Sequence, residues 1–133
     1  MAIRYKILLH LFCVIAVSDI SYADIIINKN TTWTRNKTLS ENVIIKPKSV
    51  LTINAGVSIY VQNKIPNNED TSRVQILVLG ALNILGTADD LVYIGPRGTL
   101  IKKNYWAGIK FESSHSKSNI NFLKISNSER GLD

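Results

Sequence analysis

The sequence predicts an all-β solenoid, and three observations lead to this prediction. Short runs rich in Ile, Val and Leu recur after residue 24, and several alternate apolar and polar residues with the period of two that strands have. No segment of this region keeps a helical period for three turns. An apolar triplet also repeats, because Leu51-Thr52-Ile53 resembles Leu82-Asn83-Ile84 at a spacing of 31 residues.

The first 23 residues are typical of a secretory signal peptide. They comprise a basic head with Arg4 and Lys6, an apolar run over residues 7–17, and a polar tail with small residues where cleavage requires them. The apolar run is shorter than the roughly 20 residues that a membrane-spanning helix needs. We therefore expect cleavage after Ala23 and a secreted or periplasmic protein without a membrane span. An N-terminal anchor helix is the alternative.

Composition limits how the remaining chain can be stabilised. The chain has 133 residues, one cysteine and a net charge of +6. The cysteine, Cys13, lies in the signal segment, so residues 24–133 can form neither a disulfide nor a cysteine zinc site. An exported domain without disulfides depends on core burial and backbone hydrogen bonds, which favours a regular, repetitive fold. We expect one domain, residues 24–133, arranged in about three coils.

Nine apolar runs predict the strands in chain order. Residues 57–61 alternate strictly, which is typical of a strand with one buried face. In the last run the alternation changes phase between Phe122 and Leu123, so we expect a corner between two short strands there. The runs are 25–27, 43–45, 50–53, 57–61, 74–79, 81–85, 91–94, 107–111 and 120–125.

Turn residues separate the runs and set the repeat. Connections such as 54–56 are too short for a helical crossover, whereas residues 62–73 form a longer polar loop. The triplets 43–45, 77–79 and 109–111 mark the strand before a turn at spacings of 34 and 32 residues. This period is typical of a solenoid, in which each coil buries its inner face against its neighbours. A β-sandwich is the alternative that the number of strands alone would favour.

Several segments follow one another in the order found in a known family. They are Thr32-Trp33, 42–45, 50–59, 79–89, 106–111 and 118–131. In this order residues 27–131 resemble the N-terminal coils of the right-handed parallel β-helix proteins, the pectin-lyase-like group. The sequence departs from the family pattern at Ala55, where proline is usual, and at the insert 62–73.

The resemblance implies a right-handed parallel β-helix and assigns structural roles to five residues. Gly56 and Gly86 would lie at corners where a side chain would crowd the turn. Gly108 belongs to the motif W-x-G-I-x-F that begins at Trp106. Trp33 and Trp106 are expected in core or cap packing, with a sugar-stacking platform as the alternative.

Candidate catalytic chemistry is sparse. Enzymes of this family cut acidic polysaccharides with carboxylates that hold calcium or act as acid and base. Here Asp89 and Asp90 are adjacent and would point in different directions, so we expect them to cap a turn. Residues 69–70 lie in the polar insert, and His115 has no evident partner that would position it as a base. We predict no catalytic residue, metal or cofactor, and an enzyme is the less favoured interpretation.

The excess of basic residues is the remaining chemical feature. Basic side chains in or beside turns would attract acidic polysaccharides or cell-surface glycans if they lined one face. A scattered charge that only favours solubility is the alternative. Nucleic acid is not expected, because no motif combines aromatic and basic residues for its recognition. The candidate binding residues are Lys46, Lys48, Arg97, Lys102, Lys103 and Lys110.

Two functional hypotheses remain. In the first, the protein is a secreted, non-catalytic β-helix module that binds a glycan or another surface, or forms part of a larger β-helix protein. In the second, it is a fragment or short member of a polysaccharide lyase or hydrolase line acting on acidic glycans. No amphipathic cap precedes Asp133, so we expect a fragment or self-association through an open end. Asn30 and Asn36 match the glycosylation acceptor pattern, which matters only in a host that glycosylates.

Overall fold

A computed structural model describes residues 23–62, 73–98, 104–112 and 117–133. Residues 1–22 of the predicted signal peptide lie outside this part of the chain, so cleavage after Ala23 stays a prediction. The described residues form twelve short strands and no helix, and hence no helix able to cross a membrane. The strands are β1 (Ile25–Ile27), β2 (Thr31–Trp33), β3 (Lys37–Leu39), β4 (Val43–Ile45), β5 (Val50–Asn54), β6 (Ser58–Val61), β7 (Gln75–Val78), β8 (Ala81–Leu85), β9 (Val92–Gly95), β10 (Gly108–Phe111), β11 (Asn119–Asn121) and β12 (Leu123–Ile125).

The strands form three parallel sheets, and successive strands enter successive sheets. Sheet A has the order β1-β4-β7-β10, sheet B has β2-β5-β8-β11, and sheet C has β3-β6-β9-β12. The triplets β1–β3, β4–β6, β7–β9 and β10–β12 therefore stack as layers 1 to 4. The chain makes three turns in passing from β1 in layer 1 to β10 in layer 4. This confirms the predicted parallel β-helix of about three coils.

Aliphatic side chains stack in register inside the coils. Leu51 pairs with Leu82 and Ile53 with Ile84, and all four side chains are fully buried. This pairing confirms the predicted repeat between β5 and β8. Burial of each such side chain stabilises the fold by about 1.5–3 kcal/mol before the entropy of ordering is subtracted. Stacked rows of this kind stabilise the coils without a disulfide.

The register of β7 differs by one residue from the predicted triplet 77–79. Val43 pairs with Ile76 and Ile44 with Leu77, so the triplet in register is 76–78. A shift of one residue moves side chains to the opposite face of a strand. Ile76 is fully buried and Leu77 faces outward. Residues 76–79 are four consecutive apolar residues, so their pattern did not define which of them face the core.

The predicted corner between the last two short strands is confirmed at Phe122. This residue separates β11 from β12 and has a φ of 47°, in the left-handed region. Its carbonyl oxygen accepts a hydrogen bond of 3.1 Å from the backbone N–H of Val92 in layer 3. Gly86 lies against the same corner, where an added Cβ would be 2.4 Å from the Phe122 oxygen. The corner can approach layer 3 because position 86 has no side chain.

Three asparagines, spaced six residues apart, connect the first coil to the coil that follows it. Asn30, Asn36 and Asn42 each precede a strand, and each amide oxygen accepts a hydrogen bond from a backbone N–H one coil later. Asn30 and Asn36, the two predicted glycosylation acceptors, therefore use their amide oxygens in the fold. The bonds are Val50 N to Asn30 Oδ1 at 3.1 Å, Ser58 N to Asn36 Oδ1 at 2.8 Å, and Gln75 N to Asn42 Oδ1 at 3.1 Å.

Candidate functional site

The basic candidates of the described chain lie at different places on the solenoid. Lys46 and Lys48 are exposed in the turn from sheet A to sheet B, and Lys48 has a φ of 66°. Arg97 is exposed beyond the end of β9 in sheet C. Lys110 lies on β10 in sheet A and forms a 2.9 Å ion pair with Glu112. The structure therefore does not gather these four cations at one corner.

Lys102 and Lys103 lie outside the described residues. Their predicted role in binding stays a prediction.

A pocket of about 290 Å³ lies where the strands of sheet C end. The strands β3, β6 and β9 are parallel neighbours, so their carboxyl ends meet at the same edge of the sheet. Tyr105, which precedes layer 4, completes the wall. We call this cavity the Arg97 pocket. Its lining residues are Thr38, Tyr60, Val61, Gln62, Pro96, Arg97 and Tyr105.

The cation of the pocket stacks on an aromatic ring. The guanidinium carbon of Arg97 is 4.0 Å from the centroid of the Tyr60 ring. A stacked guanidinium is held in place by the ring face and keeps its N–H donors in its own plane, free for hydrogen bonds. Within the described part of the chain, Arg97 has no carboxylate partner. Among the described residues, the pocket therefore presents a positive charge that is held in place and has no paired carboxylate.

A second tyrosine fixes the wall behind this cation. The hydroxyl of Tyr93 donates a hydrogen bond of 2.7 Å to the carbonyl oxygen of Pro96. It also lies 2.7 Å from Oγ of Ser126, which then acts as the donor because the single Tyr93 proton is used. A Cβ at Gly95 would lie 2.5 Å from that Oγ, so the arrangement needs glycine there. These contacts connect layers 3 and 4 and position the segment that carries Arg97.

The residues predicted to be structural lie outside the pocket. Trp33 is 6% exposed and Trp106 is fully buried, and Nε1 of Trp106 donates a 2.9 Å hydrogen bond to the Ser126 carbonyl. Gly56 has a φ of 74° in the turn between β5 and β6. Gly108 has a φ of 105°, and an added Cβ would lie 2.9 Å from the carbonyl oxygen of Gly131. Both tryptophans pack in the core and neither lines the Arg97 pocket.

The acidic candidates do not converge on a site. Asp89 and Asp90 are exposed in a turn, where the Asp90 backbone N–H donates to Oγ1 of Thr87 and its carbonyl accepts from the Thr87 N–H, each at 3.0 Å. Residues 69–70 and His115 lie outside the described chain. Among the residues that the structure describes, no three His, Cys, Asp or Glu side chains are placed to hold a metal ion.

Tyr60, Gln62 and Tyr105 were missed as site residues by the sequence reasoning. Tyr60 and Arg97 are distant in the chain, and only the pairing of β6 with β9 brings them together. Tyr60 pairs with Gly95, so the same register carried two residues further places Gln62 opposite Arg97. Aligning residues 59–62 with residues 94–97 in the sequence would have indicated that Tyr60 and Gln62 lie close to Arg97.

Comparison of the chain with protein-family models, curated proteins and solved structures found no match. The resemblance to the pectin-lyase-like group therefore rests on the ordered segments of the sequence alone.

Proposed function

We propose that this protein is a secreted, non-catalytic β-helix module that binds acidic glycans at the Arg97 pocket. One observation carries the proposal: the Arg97 guanidinium stacks 4.0 Å from the Tyr60 ring, in a cavity where no described carboxylate neutralises it. Secretion rests on the signal pattern of residues 1–23. An evolutionary relationship to the pectin-lyase-like proteins is part of the same proposal.

The chemistry of the pocket suits an acidic sugar. A planar guanidinium forms two parallel hydrogen bonds with a carboxylate, and stacking reduces the side-chain freedom that binding would otherwise remove. Tyr105, which is half-buried and lines the cavity, offers apolar surface to the C–H groups of a sugar ring. Cleavage after Ala23 removes Arg4, Lys6 and Asp19 and leaves a net charge of +5, which favours the approach of a polyanion. These properties support an acidic glycan rather than a neutral one.

Binding to oligogalacturonate by calorimetry tests the proposal. We expect Arg97→Gln to weaken binding by about tenfold or more, because hydrogen bonds to charged groups contribute roughly 1.5–3 kcal/mol. Arg35→Gln removes the same charge from an exposed turn between β2 and β3 and should change affinity by less than about twofold.

A double variant, Lys46→Gln with Lys48→Gln, tests the alternative location at the sheet A turn. If this variant loses binding and Arg97→Gln does not, the assignment to the Arg97 pocket is wrong. The same samples, incubated with polygalacturonate, should release neither unsaturated nor reducing ends. Release of such ends that disappears in Asp89→Ala with Asp90→Ala would favour the lyase or hydrolase hypothesis instead.

We also propose self-association through layer 4. Ile120, Leu123 and Ile125 face the core but are only half-buried, whereas Ile84 and Ile94 in layer 3 are fully buried. Residues 131–133 form backbone hydrogen bonds with β10, and the described chain places no such segment on β11 or β12. Open strand edges beside partly exposed apolar residues favour pairing with another chain.

A further inference from the structure

The outer face of sheet A carries a row of aliphatic side chains. The register of its strands places one residue from each of layers 1 to 4 in this row, namely Ile26, Ile44, Leu77 and Lys110. Their neighbours along β4 and β7 face the core, because successive side chains of a strand point to opposite faces. Ile26 is 44% exposed, and Ile44 and Leu77 are half-buried. The row is therefore apolar in three of its four layers.

The corresponding rows on the other two sheets are polar. They comprise Thr32, Thr52, Asn83 and Asn119 on sheet B, and Ser58, Tyr93 and Lys124 on sheet C. In parallel sheets, strands that are apolar at successive positions are usually covered on both faces. The strands β4 and β7 have this composition, whereas β5 alternates apolar and polar residues. The outer face of sheet A is therefore typical of a surface that packs against another one.

Charged residues lie along the edge of sheet A where its strands end. Lys29 lies in the turn after β1 in layer 1, and Lys46 follows β4 in layer 2. Glu112 follows β10 in layer 4 and forms its 2.9 Å ion pair with Lys110. The edge is thus positive in layers 1 and 2 and negative in layer 4. A surface with opposite charges at its two ends is complementary to a copy of itself turned end for end.

We propose that the outer face of sheet A binds a second copy of this protein, with a two-fold axis parallel to the strands and midway between β4 and β7. The rotation places Ile44 opposite Leu77 of the second copy and Leu77 opposite its Ile44, so the centre of the contact is apolar. It places Glu112 at the rim, near Lys29 and Lys46 of the second copy. This interface goes beyond the proposed glycan binding and uses a surface other than the open end at layer 4.

Two other arrangements match the charges less well. A two-fold axis along the solenoid would place Lys110 opposite Lys110 of the second copy, and like charges that face each other repel. An anionic lipid surface would attract Lys46 but repel Glu112 on the same edge. The end-for-end pairing of two copies is the arrangement in which opposite charges meet.

The size of the face sets the strength of the contact. The four strands of sheet A lie about 4.8 Å apart and rise about 3.3 Å per residue, so the face spans roughly 15–20 Å in each direction. A standard interface buries about 800 Å² on each partner, which is more than this face provides. We therefore expect a reversible dimer with a Kd between about 10 μM and 1 mM.

Sedimentation equilibrium of the whole protein between about 10 μM and 1 mM tests the proposal. Leu77→Lys places a charge at the apolar centre and should weaken association by at least about tenfold. Ile26→Lys, at an exposed position of the outermost strand, should weaken it by about threefold or more without affecting the fold. Leu85→Lys is the matched control: Leu85 is 42% exposed on sheet B, and its variant should associate within about twofold of the original protein.

An exchange of charges tests the orientation of the two copies. Lys46→Glu should weaken association by about threefold or more, because the new carboxylate would lie near Glu112 of the second copy. Adding Glu112→Lys to that variant should restore at least half of the lost free energy of association, because opposite charges meet again. A double variant as weak as Lys46→Glu alone would show that the end-for-end orientation is wrong.

A dilution series followed by backbone amide NMR locates the contact without any substitution. The shifts of Ile44 and Leu77 should change with concentration, and those of Thr52 and Asn83 on sheet B should change little. If Leu77→Lys lowers stability and associates like the original protein, the face is covered within its own chain and the proposal is overturned. Association that persists in both sheet A variants would leave layer 4 as its site and also overturn the proposal. Neither result affects glycan binding, which is measured separately.

Discussion

At the scale of single residues, Gly86 has little room for a side chain, because it lies against the corner at Phe122. A Cβ there would lie 2.4 Å from the Phe122 carbonyl oxygen and 2.7 Å from that of Asn121. We expect Gly86→Ala to lower the free energy of unfolding by about 1–3 kcal/mol, since the corner must move away from layer 3. Urea denaturation measures this change.

Gly98→Ala is the comparison for this prediction. Position 98 has a φ of 80° but no atom within 4 Å of an added Cβ, so only the left-handed backbone penalty of roughly 1–2 kcal/mol applies. A Gly86 variant as stable as the original protein would contradict the close packing between layers 3 and 4.

Tyr93 and Tyr60 provide a second test at this scale. Tyr93→Phe removes a hydroxyl that bonds the Pro96 carbonyl and Ser126, so we expect a loss of about 1–2 kcal/mol in the free energy of unfolding. It should also weaken uronate binding, because the segment that carries Arg97 loses its fixed position. Tyr60→Phe keeps the ring under Arg97 and should leave both quantities nearly unchanged. Equal effects of the two substitutions would contradict the positioning role of Tyr93.

The sequence alone predicted individual site residues only in part. Arg97 was among the six basic candidates because it lies beside a turn. Tyr60 was recognised as a strand residue, but its contact with Arg97 depends on which strands pair and in which register. Local periodicity does not contain that information, since β6 and β9 are separated by a whole coil. The same reason explains why Tyr105 was missed.

At the scale of elements, the asparagines before β2, β3 and β4 connect the first coil to the second and third layers. Asn42→Ala should lower the free energy of unfolding by about 1 kcal/mol, because the N–H of Gln75 loses its acceptor in a partly buried position. Thermal or urea unfolding tests this expectation. Thr32→Ala, on an exposed position of β2, is the control and should change stability by less than about 0.5 kcal/mol. An Asn42 variant no less stable than the Thr32 control would contradict the role of the amide.

The sequence predicted the strands most accurately where apolar triplets repeat. The pairing of β5 with β8 follows the repeat found in the sequence. The strands β2 and β3 each bury a single side chain, Trp33 or Leu39, so they were not recognised as apolar runs. The asparagines that bond the next coil precede the strands, where the pattern of buried residues gives no signal.

At the scale of the whole molecule, the half-buried apolar residues of layer 4 predict association in solution. Light scattering over a range of concentrations should show a mean mass that rises with concentration, since strand edges and apolar surface would be covered in the complex. A mass that stays at 14.8 kDa, or at the lower value expected once residues 1–23 are removed, at high concentration would contradict this prediction.

The central claim is that an acidic sugar binds where Arg97 stacks on Tyr60. The most direct measurement is the change of backbone amide NMR shifts during titration of the ¹⁵N-labelled protein with galacturonate. We predict the largest changes at Gln62, Arg97 and Tyr105 and little change at Lys46. Changes centred on Lys46 and the turn between β4 and β5, or no saturable change at all, would contradict the account.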